Sequence, residues 1–295
     1  MRRIAITNQK GGVGKTTTCA NLGAALSQRG QRVLLIDLDP QAHLTTYFGL
    51  DAGAGPGAYE LLTEQPSVFE TLLKAEQNLT IIPSRLDLAA AENELINTPG
   101  RESVLRDRLA VLSDEYDWLL IDCPPAFNIL TLNALSAVDE VLVPLQPHFL
   151  GLQGVGRLLE TVSLVQQRIN PSLCVRGFVL CMNESGTRLA GEVIADVRKF
   201  LDEARGQDVP WRDARLFDTR IRRNIKLAEC PSYGQSIFTY APKSHGAEDY
   251  LALADELMRL PHEAADSGCG DGGEAGAARM APALANQPAA ARAAG

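Results

Sequence analysis

Lys10-Gly11-Gly12-Val13-Gly14-Lys15-Thr16-Thr17 decides how this 295-residue chain is read. The stretch follows a short apolar run, Arg3–Thr7, and opens into a helical pattern, Lys15–Arg29. Strand, glycine-rich loop and helix in that order make a phosphate cradle. Glycines let consecutive backbone N–H groups turn inward around phosphate oxygens. The N-terminus of the helix adds its partial positive charge. Lys15 is placed to reach β- and γ-phosphates, and the Thr16 hydroxyl to take a position on Mg²⁺. The common spacing is G-x-x-x-x-G-K-[ST]. Its last three positions are Gly14, Lys15 and Thr16 here, and Gln9 stands in place of its first glycine. Gly11, Gly12, Val13 and Thr17 complete the candidate phosphate contacts.

Outward from this loop, short runs rich in Val, Ile and Leu alternate with longer amphipathic ones. Arg3–Thr7, Arg32–Asp37, Leu79–Pro83, Trp118–Asp122, Glu140–Pro144 and Gly177–Met182 read as strands covered on both faces. Helical patterns occupy Lys15–Arg29, Arg101–Tyr116, Ile129–Ala137, Gln153–Ile169, Leu189–Leu201 and Ala247–Arg259. The expected fold class is α/β, a three-layer sandwich around a mostly parallel twisted sheet. Apolar content of 45% supports a core of ordinary size. Residues 1–262 read as one domain. Beyond it, 263–295 is rich in Ala, Gly and Pro and too poor in large apolar side chains to offset its ordering entropy, so a disordered tail is expected.

The six cysteines (Cys19, Cys123, Cys174, Cys181, Cys230 and Cys269) form no C-x-x-C pair, which speaks against zinc and against a redox couple. They read as reduced thiols in apolar surroundings. The apolar run after Met1-Arg2-Arg3 is too short for a signal peptide. No stretch approaches the roughly 18 apolar residues that span a bilayer. A cytoplasmic protein without a membrane partner is expected.

Three carboxylates sit at strand ends, where α/β sheets place ligands. Asp37 and Asp39 close the second strand two residues apart, and so face the same side. Asp122 ends an apolar strand. Polar strand ends that cap the next turn are the plain alternative. Met182-Asn183 follows the sixth strand, where Asn183 reads as a turn residue on its residues alone.

With Asn8-Gln9-Lys10, Asp37-Leu38-Asp39-Pro40-Gln41, Asp122-Cys123-Pro124-Pro125 and Ala228-Glu229-Cys230-Pro231-Ser232 added to the loop, the chain resembles the ParA/Soj branch of the deviant P-loop ATPases. MinD and the nitrogenase iron protein belong to the same wider group. The resemblance runs from about Arg2 to Leu260. It implies a deviant P-loop NTPase that binds ATP with Mg²⁺ and forms a homodimer with ATP. It implies that Lys10, the second lysine of the loop, crosses the dimer interface to the partner's nucleotide. The implied catalytic set is Lys10, Lys15 and Asp39, with Asp39 positioning the attacking water. The implied metal set is Thr16, Asp122 through water, and Asp37 in the outer shell. Pro124-Pro125 stiffens a segment expected to respond to the γ-phosphate. Met182, Asn183 and the loop Thr219–Asn224 stand where relatives contact adenine, although relatives commonly carry Pro in place of Arg222.

Between Arg212 and Lys226, six cations face two acids, a net +4 in a chain whose total is −8. The rest therefore carries −12. Concentrated positive charge favours a polyanion by counterion release, without reading sequence; a solvated surface loop is the plain alternative. The resemblance implies non-specific DNA binding through Arg223 and Lys226, with Arg188, Lys199, Arg220 and Arg222 extending the patch. It further implies a nucleoid-associated ATPase that positions or segregates a cargo: chromosome, plasmid, chemoreceptor cluster or carboxysome. A ParB-like or cargo-adaptor protein would stimulate slow hydrolysis.

Rival readings lack their marks. A membrane-cycling MinD-like protein needs a basic amphipathic C-terminal helix, which the Ala/Gly tail does not supply. An iron–sulfur carrier needs paired cluster cysteines, and Cys123 lies directly beside Asp122. A metabolic ATP-dependent ligase of the superfamily remains an alternative, since fold alone does not set function.

Overall fold

The structure is a computed structural model that describes residues 1–51, 53, 55–64, 66–147, 149–183 and 188–262, with backbone alone at 149–153 and 188–190. The tail expected to be disordered, 263–295, lies outside the described residues, as does the Arg188 side chain.

The chain runs β1 (Arg2–Ile6), α1 (Lys15–Gln28), β2 (Val33–Asp37), α2 (His43–Tyr47), α3 (Ala58–Thr63), β3 (Leu73–Glu76), β4 (Leu79–Ile82), α4 (Leu88–Glu94), α5 (Val104–Leu109) and β5 (Trp118–Asp122). It continues through α6 (Ile129–Ala137), β6 (Glu140–Leu145), α7 (Phe149–Arg168), β7 (Cys174–Asn183), α8 (Arg188–Ala204), β8 (Arg215–Arg222), α9 (Ile225–Tyr233), α10 (Ile237–Tyr240) and α11 (His245–Met258). One sheet takes the order β3-β4-β2-β5-β1-β6-β7-β8. All its pairings are parallel except β3 with β4.

Two apolar layers cover the sheet. Side chains of α1, α2, α9, α10 and α11 pack on one face, and those of α3 to α8 on the other. Central strands are therefore buried throughout, which explains their unbroken apolar runs. β1 lies between β5 and β6, and successive strands are added on opposite sides of it. This switch point opens a crevice at the carboxyl ends of the central strands. Asp37 and Asp122 are direct neighbours on adjacent strands beside it, and Ile6, the last residue of β1, pairs with Asp122.

The opposite edge is closed by a buried ion pair. Arg2 meets Glu140 at 2.9 Å and also donates to the carbonyls of Leu257 and Leu260, joining β1, β6 and the end of α11. Those added hydrogen bonds are what make two buried charges tolerable.

Two strands escape the sequence reading, and both are sheet edges. β3 carries Lys74 and Glu76 in four residues, and β8 reads RLFDTRIR. Charges on edge strands discourage pairing with other chains, and here they mask the apolar alternation. The basic segment is thus largely a strand and not a surface loop, and Thr219–Arg222, expected within a loop, lies in that strand. The pattern over Arg101–Tyr116 forms helix only at Val104–Leu109, followed by a 3-10 turn at Ala110–Leu112.

Candidate nucleotide site and basic edge

The glycine-rich loop leaves β1 and delivers α1. Gly12 and Gly14 adopt φ of 72° and 94°, in the left-handed region that side chains avoid. Gly14 is also the N-cap of α1, and a Cβ there would lie 3.6 Å from Cys181. Gly11 and Gly12 are exposed, while Val13 anchors the loop in the core. Thr16 and Thr17 occupy the first turn of α1, where free N–H groups collect.

Asn8 and Gln146 hold the loop from the β6 side. Asn8 Nδ2 donates to the Pro144 carbonyl (2.8 Å), and its Oδ1 accepts the Lys10 N–H (3.0 Å). Gln146 Nε2 donates to the Gly12 carbonyl (2.9 Å) and meets Met182 Sδ at 3.0 Å. β6 and the residue after it thereby brace the loop at Asn8 and at Gly12. Gln146 went unread in sequence, since a glutamine after a strand carries no recognisable spacing; Asn8 was visible only as part of a motif.

Lys15 is buried, and its ammonium donates to the Lys10 carbonyl at 3.3 Å. Burial lowers its pKa, against the raising influence of Asp122, Cys123 and Asp39. The two lysines of the motif therefore lie at one end of the loop, with Lys10 half-buried.

The carboxylates divide their labour. Asp122 is buried, and neither of its oxygens receives a hydrogen bond among the described residues. Burial and then Asp37 push its pKa well above the usual carboxylate range, while the facing Thr16 hydroxyl and Lys15 pull it down. An orphaned buried carboxylate beside a threonine hydroxyl suits a hard cation, which takes one or two carboxylates and fills its remaining positions with phosphate and water. Among the described residues no group of three or more His, Cys, Asp and Glu could enclose a metal, so a metal here depends on the phosphates too.

Asp37 is differently engaged. Its Oδ1 accepts the Asp39 N–H (3.1 Å), and its Oδ2 accepts both the N–H and the hydroxyl of Thr45 (each 2.8 Å). Burial, opposed by these bonds, leaves its pKa pushed up to about 6. Asp37 thus holds the turn that carries Asp39. Ser84 completes that turn, donating to the Asp39 carbonyl at 2.8 Å. Asp39 Oδ1 accepts the Gln41 N–H (2.9 Å), and Oδ2 has no hydrogen-bond partner among the described residues.

Met182 and Asn183 end β7 at the same edge as the loop. Met182 sits at φ 51° and is 40% exposed; Asn183 is buried. The basic segment follows beside them. Arg220 and Arg223 are exposed on and just after β8. Lys226 pairs with Glu229 at 2.9 Å and lies over the Tyr240 ring. Lys199 pairs loosely with Glu203 at 3.9 Å on α8. Exposed pairs of this kind contribute little and exchange readily for a phosphate. Arg222 differs from all of these. Its guanidinium is bound to Asp249 and Glu248, so its charge is engaged within the fold.

Among the described residues, no helix is long and apolar enough to cross a membrane. Of the cysteines described, Cys19, Cys123, Cys181 and Cys230 are buried free thiols, as composition led one to expect.

Residues 1–175 match a family model described as an AAA domain. The chain is 44% identical to the sporulation initiation inhibitor protein Soj of Bacillus subtilis, over 86% of this chain and 97% of that protein. It is 42% identical to the chromosome partitioning protein ParA of Myxococcus xanthus, over 88% of each. Among solved structures, it superposes with TM-score 0.74 on a cobyrinic acid a,c-diamide synthase from Mycobacterium smegmatis with bound ADP and magnesium, at 38% identity over 88% of this chain and 94% of that one. Matched over nearly the full length of its relatives, the chain belongs to the ParA/Soj family of P-loop ATPases.

Proposed function

We propose that this protein hydrolyses ATP slowly, dimerises with ATP bound, and in that state binds DNA without reading sequence, so as to segregate or position a chromosomal or other intracellular cargo. A ParB-like or cargo-adaptor partner would then trigger hydrolysis and release. The single observation that carries the reading is the unpartnered, buried Asp122 carboxylate between Thr16 and Lys15 at the mouth of the loop. Such a group is costly unless a ligand completes it. The relatives named above, and the neighbour with ADP and magnesium, support that ligand's being Mg²⁺ with an adenine nucleotide.

Phosphoryl transfer asks a protein mainly for position and charge neutralisation. The backbone N–H groups from Gly11 to Thr17 hold the phosphate oxygens. Lys15 releases the Lys10 carbonyl and neutralises charge between β- and γ-phosphates. Thr16 and Asp122 would hold Mg²⁺, and the charge it would supply is a counter-charge for the phosphates. Asp39 orients the attacking water through its unengaged oxygen. Lys10 completes the partner's site. The exposed cations from Arg220 to Lys226, with Lys199 and Arg188, supply the polyanion surface, and dimerisation doubles it. Nucleoid association follows from that surface.

The test separates two lysine and aspartate roles. Asp39→Ala should retain ATP binding, dimer formation by light scattering and DNA retention, while turnover falls about 100-fold or more, as for loss of a group that positions the nucleophile. Lys10→Ala should bind ATP yet fail to dimerise. Wild-type turnover in Asp39→Ala, or a normal dimer in Lys10→Ala, removes the assignment.

The diamide synthase name of the neighbour at 38% identity supports a second reading, a metabolic ATP-dependent ligase that forms an amide at the same edge. ATP use that depends on an added carboxylic acid, and not on DNA or a partner protein, is its signature.

A further inference from the structure

Arg222 is the last residue of β8, and its side chain is the most heavily bonded of the basic segment. Nε donates to both Asp249 oxygens (3.0 and 3.1 Å). Nη2 donates to Asp249 Oδ1 (2.6 Å) and to Glu248 Oε2 (3.1 Å), and the backbone N–H donates to Asp249 Oδ2 (2.9 Å). Asp249 is nearly buried, with 9% of its side chain exposed. His245 Nδ1 adds a contact to Glu248 at 3.0 Å. With one cation and two acids, this cluster is net negative before any phosphate approaches. Moving Arg222 to a phosphate would leave Asp249 a buried charge without its partner, a costly state.

The cluster instead joins three parts of the nucleotide edge. Arg222 stands in register with Asn183 of β7, and the Arg223 N–H reaches the Asn183 carbonyl at 3.5 Å. Asn183 follows Met182, whose sulfur meets Gln146, which in turn holds the Gly12 carbonyl. On the other side of Asp249, the Tyr250 hydroxyl meets Thr18 Oγ1 at 3.2 Å, one turn into α1. The first turn of α11 also lies flush on the β8–α9 turn. A Cβ on Gly246 would come within 2.9 Å of Leu227 and 3.2 Å of the Asn224 amide.

We propose that Arg222 is a positioning residue for the nucleoside end of the site and not a DNA contact. Its fork on Asp249 fixes the end of β8, which stands in register with Asn183, against α11, while Tyr250 on Thr18 fixes the same helix against α1, the helix that the phosphate loop opens. The inference rests on the nucleotide reading above and takes Arg222 out of the polyanion surface proposed there.

Arg222→Lys keeps the charge but loses the planar fork. Its dissociation constant for a fluorescent ATP analogue with Mg²⁺ should rise about tenfold, the scale of one missing charge-assisted pair. In steady state the loss should appear in KM, with a smaller change in the rate at saturating ATP. Arg222→Gln removes the charge, yet with saturating ATP the slope of log DNA affinity against log salt should match wild type. Unchanged nucleotide affinity in Arg222→Lys overturns the proposal. So does a slope flattened by about 2 in Arg222→Gln, the value for removing one phosphate-bound cation from each protomer of a dimer. Should either variant melt below the assay temperature, the isosteric Asp249→Asn breaks the same fork and is expected to show the same tenfold loss; wild-type affinity there overturns the proposal equally. Failure of wild type itself to bind the analogue would instead strike the nucleotide reading.

Discussion

The crevice over β1 and the edge at β8 are both charged, and they are built on opposite terms. In the crevice, Lys15 is 8% exposed and Asp122 1%. Asn8, Gln146 and Ser84 donate to backbone carbonyls around them, and the Thr45 hydroxyl accepts the Ser84 N–H. At β8, Arg220, Arg223 and Lys226 stand in solvent, and the Lys226–Glu229 pair is exposed on both sides. Burial makes each group in the crevice individually decisive, because an unmatched charge there has no water to fall back on. Exposure makes the cations at β8 act by their sum, since each is screened and interchangeable. Arg222 marks the boundary: it lies in the basic segment but is built like the crevice.

The comparison predicts the largest effect at Lys15. Lys15→Ala removes the buried cation closest to the loop, and affinity for ATP should fall about 100-fold or more, on the scale of two or more charge-assisted hydrogen bonds. Equilibrium binding of labelled ATP decides it; affinity near wild type would mean that the crevice is not the phosphate site.

A middle-sized effect is expected at Asp122, with opposite signs for stability and function. Asp122→Asn removes an unpartnered buried charge, so the nucleotide-free protein should melt higher, by about 2–4 °C for each kcal/mol relieved in a protein of this size. Mg²⁺ with ATP raises the melting temperature of wild type by mass action, but adding Mg²⁺ should bring little further rise in the variant. A variant that melts lower without nucleotide and still responds to Mg²⁺ would show that Asp122 is paired in the free protein and idle in binding.

The same contrast explains what the sequence disclosed. The crevice was legible because its chemistry imposes spacing: Gly14, Lys15 and Thr16 must follow one another to make a helix N-terminus with a cation and a hydroxyl. Central strands were legible because burial on both faces forces apolar runs, as in Val33–Asp37 and Trp118–Asp122. β8 was not, because an edge strand keeps charges that read as a loop. Its pairing with β7 is irregular, with register shifts between Phe178 and Leu180 and between Leu180 and Asn183. Partners distant in sequence were also hidden. Nothing local links Arg222 to Asp249, Gln146 to Gly12, or Asp37 to Thr45; only the folded sheet edge brings them together. The partners of Asp37 and Arg222 could thus be read only from the structure.

The smallest change per residue is expected at β8, and there the account's central claim, that ATP held in the crevice recruits an additive basic edge to DNA, is most directly tested. The measurement is a salt titration of DNA retention with ATP and Mg²⁺, on wild type and on Arg223→Glu combined with Lys226→Glu, with dimerisation followed in the same samples. The double variant takes two phosphate-binding cations from each protomer, about four from each dimer, so the slope of log affinity against log salt should flatten by about 3 to 4 while ATP-driven dimerisation persists. Retained binding with the wild-type slope in the double variant would contradict it.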